Sequence, residues 1–433
     1  MKRSERKMLN QDSGYRRWGR FGDVLAVISV FYLFSGVAVG PGRMIGKYLP
    51  EMVTSYQYTC KIFLILFMIW LIVAMTIDYK IVLSIIRQTG LIWLLIFLAF
   101  LSTLWSSWKG GTLQYSFALA GTTGLGIFIS LRFRVDQQLQ MLALVMIAIA
   151  LSSLLLIAIY PSIGIMSGIH EGAWKGVFLH KNFLGKIMAL GVLVFLFVPI
   201  HGKTNHFLSG GGAVLCAYLL LRSRSRNSLL TLGICLLMYA FLTQFHNYSR
   251  NVRQSPFTLI CLLVGISAAV WFYWNIEWVF QLMTRDVTLV SRAVIWEAVI
   301  EKIKLHPWGG YGYGAFWRGS ETGVSGEVAQ AIGWYPDHAH NGFLDLALDL
   351  GLVGLSIFLI YFLWILLRVY KTVLKSLSQT TLDYWPAIYL LFFMCYNLLE
   401  SDLFRHYSPM WILSVAVITT LLSRGKGVKH NPG

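Results

Sequence analysis

Charge is scarce in this chain. Only 13% of its 433 residues are Asp, Glu, Lys or Arg, while 57% are hydrophobic, and the mean hydropathy is +0.64. A soluble domain is about a quarter charged and about half apolar, so there is too little charge here to coat a water-soluble fold, and the chain reads as an integral membrane protein. Cysteine is present but unorganised: Cys60, Cys216, Cys235, Cys261 and Cys395 lie in or beside apolar runs. Without a CxxC or Cys/His spacing there is neither a disulfide frame nor a cysteine zinc site. A continuous basic surface is also missing. The formal charge of +17 is spread between apolar runs rather than massed in one domain. That excludes nucleic-acid binding and reads as topology signals and lipid headgroup contacts. Heptads, solenoid repeats, low-complexity tracts and an inverted repeat between the halves are not visible either.

What is abundant is apolar runs. A helix needs about 20 apolar residues to cross a bilayer, and irregular backbone in lipid is too costly. The sequence predicts an all-α integral membrane fold with about twelve transmembrane helices, near 22–40, 61–78, 90–106, 113–131, 138–160, 182–200, 207–221, 228–244, 257–275, 351–368, 384–399 and 408–423. The first run follows a polar tail with Lys2, Arg3, Arg6, Lys7, Arg16, Arg17 and Arg20 and has no small-residue cleavage site, so it reads as an uncleaved first span. The order is a cytoplasmic tail (1–21), helices one to nine (22–275), a large outer loop (276–350), helices ten to twelve (351–423) and a second cytoplasmic tail (424–433). Lys and Arg alternate in support of that orientation, with one exception: the link between spans seven and eight places Arg222, Arg224 and Arg226 on the outer side.

The large outer loop is not a slack linker. Thr288 to Leu305 reads as an amphipathic helix with Val294, Ile295, Ala298, Val299 and Ile303 on one side, and Arg292 and Trp296, four apart, are surface neighbours. Pro307 disfavours helix at His306. Trp308 to Trp317 then alternates glycine, which lets backbone approach closely, with aromatics that suit sugar faces or the membrane interface.

The candidate chemistry clusters at the outer surface. Arg222, Arg224 and Arg226 read either as interfacial snorkelling or as a phosphate-binding group, since the guanidinium fork matches phosphate oxygens and span eight begins beside them with free N–H groups. Arg292 is either a solvated residue of the amphipathic helix or a second phosphate ligand. His340-Asn341 opens the last outer helix, with Asn341 as an N-cap and Gly351 as a terminating glycine, which leaves His340 at a helix mouth as a proton acceptor. His338 is less clearly tied to that mouth. Asp337, His338 and His340 would form a metal set only if extended, and no further ligand spacing is recognisable. Asp345 and Asp349 share a helix face and read as water-facing or as partners of an arginine. Glu400 and Asp402 read as partners for Arg or His across the bundle or as ordinary interfacial charge. His180-Lys181-Asn182 opens span six.

His340-Asn341, nine residues, then Gly351-x-x-Gly354 resembles the signature of the O-antigen ligase and polymerase superfamily of bacterial envelope glycosyltransferases. Further stretches resemble it in the right order. They are Leu101 to Ser106, Phe178-x-His180-Lys181-Asn182-x-x-Gly185, Ser225-Arg226, Arg285 to Trp296, and His306-Pro307 followed by Gly-Tyr-Gly. Thr288-Leu289-x-Ser291-Arg292-x-x-Ile295-Trp296 and Asn397 to Ser401 are most similar to exopolysaccharide polymerases of the succinoglycan type, although Ser291 stands where that branch usually has glycine.

The resemblance implies a fold of about twelve helices with the large loop periplasmic, in the bacterial inner membrane, and a glycan donor on undecaprenyl diphosphate. It implies no cofactor and no metal. Arg226 and Arg292 are then assigned to the diphosphate, since arginines stabilise a leaving phosphate without metal, and His340 to the base, with inversion at the anomeric carbon. Arg222, Arg224, Lys181, His338 and Asn341 are assigned to substrate binding. A chain-length regulator and a flippase of the same export route are implied partners. The alternatives are a ligase acting on lipid A–core and, in another class, a glycan transporter. Transporters place ionisable groups near the midplane, whereas the central portions of these spans are nearly free of them.

Overall fold

The computed structural model describes Leu83 and residues 86–199, 203–249, 287–318, 324–375 and 381–424. The spans expected near 22–40, 61–78 and 257–275 lie outside the described residues. Within them the secondary structure is helical, and the extended pairing is a single bridge between Ile165 and Trp174. The principal helices are α1 (Gly90–Leu101), α2 (Lys109–Arg132), α3 (Val135–Ile159), α4 (Lys181–Phe197), α5 (Lys203–Ser223), α6 (Arg226–Ser249), α7 (Val287–Leu305), α8 (Val324–Ile332), α9 (Gly342–Lys375), α10 (Trp385–Asn397) and α11 (Pro409–Arg424).

Among the described residues three helical stretches are long and apolar enough to cross a membrane: Val135–Ile159, Arg226–Gln244 and Gly342–Lys371, with Gly90–Leu104 and Pro409–Ser423 as shorter apolar helices. Other expected spans are helices that fall below that measure for identifiable reasons. Helices α4 and α10 have only 17 and 13 residues. In α2 and α5 the apolar run is diluted by glycine, serine and threonine. Several of these hydroxyls fold back on their own helix, as when Ser116 Oγ donates to the Thr112 carbonyl at 2.8 Å and Ser130 Oγ to Ile127 at 2.7 Å, so these two are not left bare in an apolar setting.

The chain divides into two compact units, one comprising Met1–Gln88, Gly121–Leu230 and Tyr407–Gly433, the other Thr89–Ala120 and Thr231–His406. In the first, α4 packs against α3 and α5. Polar contacts between apolar helices add specificity there: Trp411 Nε1 donates to Thr123 Oγ1 at 2.9 Å and Gln138 Nε2 to Thr420 Oγ1 at 3.2 Å. Leu144, Leu151 and Leu155 of α3 remain exposed, as a helix solvated by lipid tails requires.

In the second unit α1 and α10 pack against α9, and α7 lies against α8 and α9. Residues 295–348 carry a core of their own, in which Ile295, Val299 and Ile303 of α7 meet Phe316, Val328, Ala339, Ala347 and Leu348. Of the apolar side expected for α7, Ile295, Val299 and Ile303 are thus buried and Ala298 packs against them, whereas Val294 is 39% exposed because it lies a step round the helix from Ile295 and Val299.

Candidate active site

The local structure begins with a break in α9. Gly351 has φ 67 and ψ −172, so the first helical stretch stops at Leu350 and a second continues beyond it. The last carbonyls of a helix lack internal partners, and here the aromatic–glycine loop supplies them. Tyr311 N donates to the Leu348 carbonyl at 2.7 Å and Gly312 N to Asp349 at 3.1 Å, while Leu352 N donates to Pro307 at 2.6 Å. A Cβ on Gly351 would lie 2.2 Å from the Trp308 carbonyl oxygen, and one on Gly310 would lie 2.4 Å from that of Leu348. Both glycines have positive φ, so both space and dihedral require them. The turn after α1 grips the same loop: Ser102 Oγ accepts from Tyr313 N at 3.0 Å and Trp105 Nε1 donates to Gly309 O at 3.1 Å. Three of the stretches on which the resemblance rests thus form one supporting frame.

At the other end of that first stretch Asn341 caps α9, accepting from Phe343 N and Leu344 N at 3.0 and 3.2 Å and donating to the Leu398 carbonyl at 3.2 Å. The residue before it, His340, has φ 51. Left-handed backbone costs a side-chain-bearing residue ~1–2 kcal/mol, and the surroundings hold it in place. Trp296 Nε1 donates to the Ala339 carbonyl at 2.9 Å, and the Ala339 N–H donates to the Asp345 carboxylate at 3.0 and 3.2 Å. The carboxylate also accepts from Trp317 Nε1 at 2.7 Å. The water-facing reading of Asp345 is therefore corrected: as a fixed acceptor it shapes the histidine segment.

Glu400 is the hub. Its Oε1 accepts from Arg292 Nη2 at 2.8 Å. Its Oε2 lies 3.3 Å from His340 Nδ1 and 3.5 Å from His338 Nε2. The other nitrogen of His338, Nδ1, is 2.5 Å from Asp337 Oδ1, and the two imidazoles face each other with centroids 4.1 Å apart. Burial alone would lower the His338 pKa, but hydrogen bonds to Asp337 and Glu400 push it up to about 9. Burial likewise lowers that of His340, and its bond to Glu400 does not make up the difference against the charges of His338 and Arg292. Burial would raise Glu400, yet its bonds to both histidines hold it well below the usual carboxylate range.

At neutral pH the group is a carboxylate at the centre, a charged His338, a charged Arg292 and a neutral His340. A carboxylate only accepts hydrogen bonds, so the proton of His340 sits on Nδ1 and leaves Nε2 as a free acceptor. The ligand atoms of His338, His340 and Glu400 lie within 4.8 Å of one another, a spacing that a metal ion fits. Two positive and two negative charges already balance across Arg292, His338, Glu400 and Asp337, so a cation would have to displace a proton or the guanidinium.

The other assigned residues belong to the first unit. Helix α5 ends at Ser223, Arg224 turns through φ 50, and α6 starts at Arg226. Buried Ser223, Ser225 and Ser228 alternate with exposed Arg222, Arg224 and Arg226. The Arg222 guanidinium stands over the Trp174 ring, 4.4 Å from its centroid. Lys181 Nζ donates to the Arg224 carbonyl at 3.2 Å, and Arg224 Nη1 reaches the Glu171 carbonyl at 3.4 Å. Gly185 allows this junction, because a Cβ there would lie 2.4 Å from that of Ser225. The structure therefore brings Arg292, His338, His340 and Asn341 into one cluster and Lys181, Arg222, Arg224 and Arg226 into another.

Sequence reasoning left Glu400 undecided between partner and surface charge. Its 8% exposure settles that in favour of partner. The available signal was an acid directly after an apolar span, in a chain with only 19 acidic residues. Asn397, wholly buried, was also passed over as a support. It accepts from Asp402 N at 2.8 Å and donates to Phe393 O at 2.7 Å, which fixes the turn that carries Glu400. Arg405 and His406 gave no sequence signal at all.

Residues 211–359 match the family described as O-Antigen ligase. The chain is 32% identical over 196 residues to exopolysaccharide production protein ExoQ of Rhizobium meliloti, an alignment covering 42% of this chain and 43% of that protein. It is 29% identical over 134 residues to the "Putative polysaccharide ligase" of Rickettsia prowazekii, covering 30% and 31%, respectively. A protein of the same description from Rickettsia typhi is 28% identical over 133 residues. The alignments span less than half the length of these relatives. The family match covers residues 211–359 of the 433, and of these three alignments the one to ExoQ is the longest.

Proposed function

We propose that this protein joins glycans at a membrane surface by displacing a polyprenyl diphosphate from the anomeric carbon of a lipid-linked oligosaccharide, and that it polymerises repeat units into exopolysaccharide on the periplasmic face of the inner membrane. The observation that carries the proposal is the Glu400 hub, which holds one histidine charged and leaves its neighbour neutral with a free ring nitrogen. In the reaction an acceptor hydroxyl gives its proton to His340 Nε2 while its oxygen attacks C1 of the donor sugar. The C1–O bond to the diphosphate breaks, its electron pair leaves with the lipid phosphate, and the new glycosidic bond has inverted configuration. The positive charge gained by His340 is balanced by Glu400, 3.3 Å away, in the manner of a carboxylate-oriented histidine base.

The leaving group needs cations. Arg226 is the first residue of α6, where a positive side chain opposes the helix dipole at a cost of ~0.3–1 kcal/mol. A phosphate there would meet a guanidinium at a helix start, where the dipole favours negative charge. Arg222, Arg224 and Lys181 stand around it as supporting ligands. Arg292 spends one of its donors on Glu400, and the rest of its fork is assigned to the diphosphate. His338, with both nitrogens engaged, contributes fixed positive charge rather than a movable proton.

The name of ExoQ favours exopolysaccharide production, and the names of the rickettsial relatives favour ligation, so transfer of a finished glycan to a lipid A–core acceptor is the second reading. Purified protein given a polyprenyl-diphosphate oligosaccharide should release the lipid diphosphate, and His340→Ala and Arg292→Ala should abolish release. Unchanged turnover in those variants would refute the assignment. Elongation with a second repeat unit but not with lipid A–core as acceptor separates polymerase from ligase.

A further inference from the structure

Behind the Glu400 hub, and wholly within the second unit, lies a cleft bordered by Tyr115, Trp317, Arg318, His338, Ser401 and Arg405. It contains about 580 Å³ of unfilled space, counting its mouth to solvent. His338 belongs to both cleft and hub, so whatever occupies the cleft lies beside the imidazole that faces His340.

The walls suit a sugar. The Trp317 ring is pinned through Nε1 to Asp345 at 2.7 Å. Tyr115 is stacked on His406 with centroids 3.7 Å apart, and Tyr313 Oη, which donates to the Phe404 carbonyl at 2.8 Å, supports the turn beneath. Rigid aromatic faces of this kind offer large contact area at small entropic cost. Asp337 at the rim has 69% of its side chain exposed, and it can accept from a sugar hydroxyl.

Two features ask for more than a neutral ring. Ser401 is 7% exposed, and its Oγ has no hydrogen-bond partner among the described residues. Leaving a buried hydroxyl unpaired is costly. Arg405 spends one donor on the Ser401 carbonyl at 3.0 Å, and Arg318 leans over Tyr115 with its guanidinium 5.7 Å from the ring centroid. Neither pairs with a carboxylate among the described residues. A guanidinium fork with unspent donors in a partly closed cleft matches a planar carboxylate.

We infer that this cleft is the acceptor subsite and that it binds a saccharide bearing a carboxylate, with the acid on Arg405 and the ring against Tyr115 and Trp317. The inference rests on the glycan-joining reading for the word acceptor. Its test needs only binding, so the two can fail separately.

The probe is a lipid-free oligosaccharide ending in glucuronic acid, alongside the same oligosaccharide ending in glucose, titrated calorimetrically into the full-length protein in detergent. The acidic probe should bind about tenfold or more tightly than the neutral one, the range that a hydrogen bond to a charged group supports. Arg405→Gln should erase that preference while leaving the neutral probe unchanged, and Arg405→Lys should restore part of it. Ser401→Ala removes only a hydroxyl and should weaken the acidic probe about threefold to tenfold at an unchanged melting temperature, which keeps the proposal testable if Arg405→Gln does not fold. Equal binding of both probes to the native protein would overturn the inference. So would competition by inorganic pyrophosphate as strong as that of the acidic sugar, which would make the cleft a phosphate site. Sugar binding without lipid diphosphate release would leave the subsite standing and refute the reaction.

Discussion

Arg292 Nη2 and Glu400 Oε1 meet at 2.8 Å, each side chain only 10% exposed, across a sequence separation of 108 residues. This pair ties the amphipathic helix α7 to the turn after α10 and fixes the carboxylate on which both histidines depend. A buried pair is costly to break because the survivor keeps its charge in a poor solvent, on the order of 3–5 kcal/mol. Glu400→Gln should lower the melting temperature measurably and remove turnover, since Arg292 and His338 lose their counter-charge together. Arg292→Leu combined with Glu400→Leu should recover much of the stability and none of the activity. Recovery of activity in the double variant would show that the carboxylate has no part in the chemistry.

The pH profile follows from the two histidines. His340 has a pKa below its ordinary value, so the base should remain active through neutral pH and fail only on an acid limb below about 6.5, the ordinary value. His338 is raised to about 9 in the folded protein, above its unfolded value. Its contribution to stability is therefore complete below about pH 6.5 and lost as pH rises through 9. Melting temperatures measured from pH 6 to 10 should fall over that upper window, and His338→Gln should flatten the fall. A rise in stability over the same window would contradict the assignment of His338 as a cation.

His338, His340 and Glu400 have the spacing of a metal triad, but their charges are already met by Arg292 and Asp337. Turnover should therefore survive exhaustive dialysis against a chelator. Loss of turnover restored by a stoichiometric divalent cation would turn the same three side chains into ligands and remove His340 from its role as free base.

The segments legible in the sequence are those whose cause is local. The end of helix α7 at Leu305 could be placed because His306-Pro307 acts within a few positions. Asn341 was readable as a cap for the same reason. The hub was not readable, since Glu400 reaches His340 only when a turn 60 residues away is folded back. The same holds for the Gly310–Gly351 contact, in which sequence showed two glycine-rich stretches but not that each is the other's cap. Asp345 was misread as water-facing because a carboxylate spaced like a surface residue meets an indole and a backbone amide brought from outside its helix.

Gly351 separates backbone strain from simple loss of space. Its φ of 67 penalises any residue with a Cβ, and an added methyl would also meet the Trp308 carbonyl at 2.2 Å. Its φ 67 with ψ −172 lies in a region that is nearly glycine-only and costs an L-residue ~1–3 kcal/mol, and the carbonyl cannot retreat without releasing the Pro307–Leu352 hydrogen bond beside it, 2.6 Å long. Gly90, by contrast, has open space around it and lies in a helix, where alanine is the better former by ~0.8–1 kcal/mol. Gly351→Ala should lower the melting temperature and turnover together, because the aromatic–glycine loop that it displaces carries Tyr313 and Trp317 beside the histidine segment. Gly90→Ala should leave both unchanged or raise stability slightly. Equal tolerance of the two substitutions, measured as melting temperature in the same detergent, would show that the break in α9 is not what holds the loop.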